Sequence, residues 1–373
     1  MSDPRLLKLA HLLVYYSIRV QPGDQVALRC LGSIAPSLPL HHELMREVLK
    51  AGAHPYFIAS IPAIEEFDHA FFSEASEQQL AHIDPFREVF SSRFDGSIAV
   101  LSEVNTRRLT HVDPARVATY ARAHSHLVKL FLERAAKGEL RWVMTAMPTP
   151  GYALDAEMSL EEYEDFIYSA TFVDTPDPVA AWEDISRKQK RLVDWLAGKK
   201  SLRVRGPHAD LEFSIAGRDF INCDGRANMP DGEIFTGPVE DSVEGWIEST
   251  FPALYGGVDV GRVTLRLEKG IIVQAEAEKN PAHLTQTLDT DEGARRLGEF
   301  GIGTNRGIQA FTKNMLFDEK TAGTIHIAAG ASMPETGATN ESGIHWDFLC
   351  DMRQGGRIAV DGQPFYDSGE FLV

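Results

Sequence analysis

Cysteine is scarce in this chain of 373 residues: Cys30, Cys223 and Cys350 stand far apart, with no CxxC pair. So sparse and odd a count argues against a disulfide framework and for a reducing, cytoplasmic compartment. Positive charge is also in short supply. There are 37 Lys and Arg against 54 Asp and Glu, a net charge of −17. With no Lys/Arg-rich block to neutralise phosphates, nucleic-acid partners are not expected. No apolar run reaches the ~18–20 residues of a membrane span. The opening MSDPRLLKLAHLL lacks the basic flank, apolar core and small-residue cleavage site of a secretory signal. HExxH and GxSxG are both missing, which removes the single-zinc peptidase helix and the serine nucleophile elbow. GIGTN at 301–305 is glycine-rich but lacks the strand–GxGxxG–helix setting of a dinucleotide loop.

What is present is ordinary globular material, 43% hydrophobic and 24% charged, long enough for two domains. The first half alternates strand and helix. VALRC is a short strand, HHELMREVLKAG a helix ending at Gly52, and HPYFIAS another strand. In this reading His41, His42 and Glu43 open that helix and are solvated. GSIAVLSE and RWVMTAMPTP follow as strands around the long amphipathic helix ARVATYARAHSHLVKLFLERAAKG. SLEEYEDFIYSA and DPVAAWEDISRKQKRLVDWLAGKK are helical. Strand, helix, strand with short turns makes βαβ units and a parallel sheet. Past residue 200 the pattern changes to alternating apolar and polar residues between glycine turns, as in SLRVRG, DLEFSIAG and RVTLRLEKG. That pattern belongs to antiparallel strands with one buried face. The predicted fold is therefore α/β. An N-terminal parallel-sheet α/β domain over 1–197 precedes a mainly antiparallel α+β metal-binding domain over 198–373.

The chemistry concentrates near the C-terminus. His345 and Asp347 stand two apart in GIHWDFLC, so on a strand both side chains leave the same face. His326 sits in the alternating run TIHIA, just after the acidic pair Asp318 and Glu319. Glu233 and Glu299 lie in the glycine-punctuated segments DGEIFTGPVEDSVEG and LGEFGIGTN. Imidazoles and carboxylates converging on one face suit a borderline divalent cation such as Zn²⁺, Co²⁺ or Mn²⁺.

GEIFTGPVEDSVEG, LGEFGIGTN, LFDEKTAGTIHIAAG and PETGATNESGIHWDFLCDMR, in that order, closely resemble the aminopeptidase T-like (M29) metallopeptidases. LLVYYSIRVQPGDQVALRC resembles the N-terminal segment of the same family. The resemblance implies two divalent metal ions held by Glu233, Glu299, Glu319, His326, His345 and Asp347. It also implies a cytosolic homodimer acting on short peptides. The expected reaction is release of an N-terminal amino acid by a metal-bound hydroxide, with Glu299 the candidate general base as well as a ligand. Where many members carry a tyrosine before the PETG-like segment, this chain has Met333, whose thioether is no general acid. An alternative keeps only His326, His345 and Asp347. Two histidines and one carboxylate are the ligand set of mononuclear non-haem Fe(II) dioxygenases.

Overall fold

The computed structural model describes residues 3–373. Those residues form two compact units, one ending at Ala181 and rejoined by Gly225–Pro230, the other comprising Trp182–Asp224 and Asp231–Val373.

The first unit is built on a five-stranded sheet. Its spatial order is His54–Ile58, Gln25–Gly32, Gly96–Ser102, Arg141–Ala146 and the short Asn228–Met229. Every pairing in it is parallel. Parallel strands covered by helices read as continuous apolar runs. Gly96–Ser102 obeys this, with Ile98 and Val100 fully buried. The helices Pro114–Ala136 and Leu160–Ala170 fall where the 3.6-residue period places them. Ser159 and Glu162 close a capping box on the last of these.

One helix departs from expectation. It starts at Ile34, well before His41, and carries Pro39 inside. A proline there reads from sequence as a breaker because it removes one backbone hydrogen bond. Starting earlier turns the predicted solvated opening into a helix middle, where His41 and Glu43 are buried. His41 Nδ1 bonds the Ser37 carbonyl oxygen at 2.9 Å, and burial lowers the pKa of the ring.

The second unit holds two sheets, both antiparallel. A nine-stranded sheet runs from Ala253–Tyr255 across to Glu370–Phe371, with the long Val258–Glu268 and Ile271–Lys279 hairpin along one side. A five-stranded sheet has the order His345–Asp351, Thr324–Gly330, Leu297–Gly303, Glu233–Thr236, Ile221–Cys223. This smaller sheet shows the two-residue period in its purest form. Ile234, Phe300, Ile302, Ile325, Ile327, Trp346, Phe348 and Cys350 point into one hydrophobic core. Their sequence neighbours Glu233, Gly301, His326, His345, Asp347 and Leu349 are left for the opposite face.

Candidate metal centre

Strand register assembles the site. Residues directly opposite each other on neighbouring strands share a face. Glu299 pairs with Ala328, which pairs with Asp347, so the two carboxylates flank a methyl group on one row. Gly301 pairs with His326, and Gly303 with Glu233, one row further along. His345 lies opposite Gly330 at the other end.

Gly301 explains how an imidazole fits here. A Cβ at that position would sit 2.1 Å from His326 Cε1 and 2.2 Å from Nε2. The ring therefore lies across the neighbouring strand in the space a side chain would occupy. Gly303 does the same for the chain after Glu319, since a Cβ there would meet the Thr321 carbonyl oxygen at 2.0 Å. The glycines of LGEFGIG make room for the centre. Gly301→Ala should displace the His326 ring and cut turnover roughly 10²-fold, the usual cost of an ångström-scale misplacement. The check is turnover beside far-UV circular dichroism; unchanged turnover would show that the ring does not need that space.

The side chains meet as follows. His326 Nε2 is 3.1 Å from Glu299 Oε1 and 3.3 Å from Glu233 Oε2. Donor atoms of Glu233, Glu299 and His326 all lie within 4.8 Å of one another. The other oxygen of Glu299 is 3.6 Å from His345 Nε2, which is 3.6 Å from Asp347 Oδ1. Glu299 thus spans the two imidazoles with one oxygen toward each. Glu233 lies on the His326 side and Asp347 on the His345 side. His345 Nδ1 donates to the Ala331 carbonyl oxygen at 2.8 Å, which fixes the tautomer that aims Nε2 inward.

Glu319 is the outlier of the six. It reaches the others through Lys320, whose ammonium contacts Glu319 Oε1 and lies 3.4 Å from Glu233 Oε1. Lys320 is fully buried. From sequence, a lysine after two acids looks like part of a solvated charge run. Asp318 parts from its neighbour altogether. Its Oδ1 accepts from the Thr312 backbone N–H and hydroxyl, both at 2.8 Å, so it secures a loop. Gln189 is a second residue that sequence gave no reason to select. Its amide donates to the carbonyl oxygens of Cys223 and Glu233 and to Asn222 Oδ1, and its oxygen accepts from Thr304. One buried side chain thereby ties the Pro178–Leu196 helix to the strand carrying Glu233.

The electrostatics fit a site that takes up positive charge. Burial pushes the Glu233 carboxyl up to about 8 even with Lys320 beside it. At His326 burial is outweighed by the hydrogen bond to Glu299 and the charge of Glu233, and its pKa rises to about 9. At His345 burial is outweighed by Asp347 and Glu299, and the value reaches about 10. Protons on the imidazoles partly balance the carboxylates. Among the six candidate ligands, two buried carboxylate atoms stay without a hydrogen-bond partner, Glu233 Oε2 and Asp347 Oδ1. Unpaired buried acceptors of this kind are costly and call for an occupant. An all-oxygen-and-imidazole donor set matches a divalent Zn, Co or Mn ion. The residues fit the metal. Cys223 joins a second cluster with Asp231 and Glu233, but burial and those two acids raise its pKa, which keeps the thiol protonated.

The thermophilic metalloprotease (M29) family matches residues 2–371. This chain belongs to the M29 metalloproteases. Divalent metal dependence comes with that membership. Among M29 relatives, the chain is 27% identical to aminopeptidase 2 of Geobacillus stearothermophilus over 99% of its own length and 98% of that protein's. It is 30% identical to aminopeptidase T of Thermus thermophilus over 68% of this chain and 69% of the relative. The solved structure of wild-type AmpT from Thermus thermophilus superimposes with a TM-score of 0.84 at 24% identity, covering 99% of both chains. That likeness shows the mixed α/β fold anticipated from sequence. Nothing among these M29 relatives favours the dioxygenase alternative.

Proposed function

We propose that this M29 chain is an aminopeptidase that releases N-terminal residues from short peptides with two divalent cations. The carrying observation is Glu299, which offers one oxygen to each imidazole. A carboxylate so placed can bridge two ions, with Glu233 and His326 serving one and His345 and Asp347 the other. Glu319 completes the set from the side, held by Lys320. The names of the relatives, aminopeptidase 2 and aminopeptidase T, support the exopeptidase reading.

When bound, the cations would polarise the scissile carbonyl and bring the pKa of water toward neutrality. The protein's own contribution is arrangement and proton handling. The Ala331 carbonyl and the Gly301 gap hold the two imidazoles in their orientations. Lys320 takes the Oε1 atoms of Glu233 and Glu319, leaving one oxygen of each for the metals. Glu299 would help hold the cations, and its carboxylate between the two imidazoles is the group that would accept a proton from the attacking water. The His345 side chain is 27% exposed while that of His326 is fully buried, so substrate approaches from the His345 end.

The direct experiment is turnover of Leu-p-nitroanilide and a panel of short peptides after reconstitution with Zn²⁺, Co²⁺ or Mn²⁺. Failure across the whole panel would sink the aminopeptidase reading. Met333 adds a second expectation. It follows the His326 strand at the head of the Pro334–Thr336 turn, and a phenol there could donate where a thioether cannot. Met333→Tyr should raise kcat; a slower enzyme would mean the pocket has been rebuilt around methionine. We further propose a cytoplasmic homodimer. The three free cysteines are consistent with a reducing compartment, and no helix among the described residues is long and apolar enough to cross a membrane. Sedimentation equilibrium tests the dimer.

A further inference from the structure

The parallel sheet of the first unit contains an anomaly. Arg29 lies in the interior strand Gln25–Gly32, paired with Ile58 on one side and Ala99 on the other. Interior parallel strands are apolar on both faces, and the neighbouring Ala27 and Leu28 conform. The Arg29 guanidinium lies 4.5 Å over the Phe90 ring. No side-chain hydrogen bond or ion pair to it is found among the described residues. Burial, then the like charge of Arg87, pulls its pKa down to about 10, and no carboxylate pulls it back. It stays charged at neutral pH. The side chain is half-buried, and with no protein partner its donors are left to face an anion in the space beside it.

The space beside it is a cavity of about 280 Å³ under the helices Pro85–Arg93 and Pro114–Ala136. Arg29, Arg87, Phe90, His124, Phe131 and Trp142 line it. Arg87 contacts the Tyr120 hydroxyl and has no ion-pair partner among the described residues either. Phe90 lies 5.7 Å from Phe131, and Phe131 6.0 Å from Trp142, making a continuous aromatic wall. The cavity is therefore cationic at one end and apolar elsewhere, the composition of a small-molecule site. Guanidinium groups match the planar, two-oxygen face of a carboxylate.

We propose that this cavity is a second, non-catalytic site that binds a small carboxylate carrying a single aromatic ring. An apolar cavity of ~150 Å³ holds benzene, so 280 Å³ leaves room for a ring and a short acid chain. No Asp or Glu lines the cavity to receive an ammonium group, which disfavours a free α-amino acid. The proposal stands apart from the peptidase reading and uses none of the metal-centre residues.

3-Phenylpropionate is the probe, titrated into the full-length protein by calorimetry and by tryptophan fluorescence. Saturable binding is expected, with the fluorescence change lost in Trp142→Phe while the binding heat remains. Arg29→Met should weaken the acid at least tenfold. 3-Phenylpropanamide, of the same shape without the charge, should bind at least tenfold more weakly than the acid. Absence of saturable binding into the millimolar range would overturn the proposal, as would equal binding of acid and amide.

Discussion

Glu299→Gln should lower kcat/KM by roughly 10³-fold or more, ~4 kcal/mol of transition-state stabilisation. The substitution keeps the size and one oxygen, so the strand and the packing of Phe300 behind it are undisturbed. What it removes is the negative charge between His326 and His345, 3.1 and 3.6 Å away. If Glu299 bridges, both cations lose a ligand at once, and metal content falls together with activity. A loss of activity at full metal content would instead assign the residue to proton transfer alone. Undiminished activity would remove Glu299 from the centre.

Lys320→Met should be the most destabilising change at the centre. The ammonium is fully buried between Glu233 and Glu319. Those two acids raise its pKa well above the ordinary lysine value although burial opposes them. Removing one member of a buried ion network leaves the other charges uncompensated, at ~3–5 kcal/mol. Urea unfolding of the metal-free variant should show that loss, and saturating Zn²⁺ should return part of it by mass action on the folded state. Lys320→Arg keeps the charge and should lose less. An unfolding midpoint equal to wild type for Lys320→Met, with and without metal, would mean the carboxylates need no internal counter-ion.

Much of this centre could be read in advance because strands have so short a period. His345 and Asp347 share a face by their spacing alone, and TIHIA announces one polar position in a buried strand. The sheet's two faces, core and site, follow from the same alternation. Other parts were hidden for physical reasons. Lys320 lies in the turn after the Met315–Asp318 helix, where Gly303 leaves space for the backbone, and its partner Glu233 stands on a strand far back in the chain. Gly301 looks like a turn glycine in LGEFGIG, yet it sits inside a strand and serves a ring on the next one. Gln189 acts through backbone carbonyls, which no residue pattern displays. In the first unit, Glu65–Glu74, Glu77–Leu80 and Pro85–Arg93 are short helices with few buried positions, too weakly periodic to be seen. Pro39 masked the true start of the Ile34–Lys50 helix. Arg29 shows the same limit from the other side, since VALRC reads as an ordinary strand until its charge is found without a partner.

The central claim is a pair of cations on one face of the five-stranded sheet. Anomalous diffraction from a crystal loaded with Zn²⁺ or Mn²⁺ tests it most directly. Two peaks per chain are predicted, one among Glu233, Glu299 and His326, the other among Glu299, His345 and Asp347. A single peak, or metal bound away from these side chains, would contradict the account.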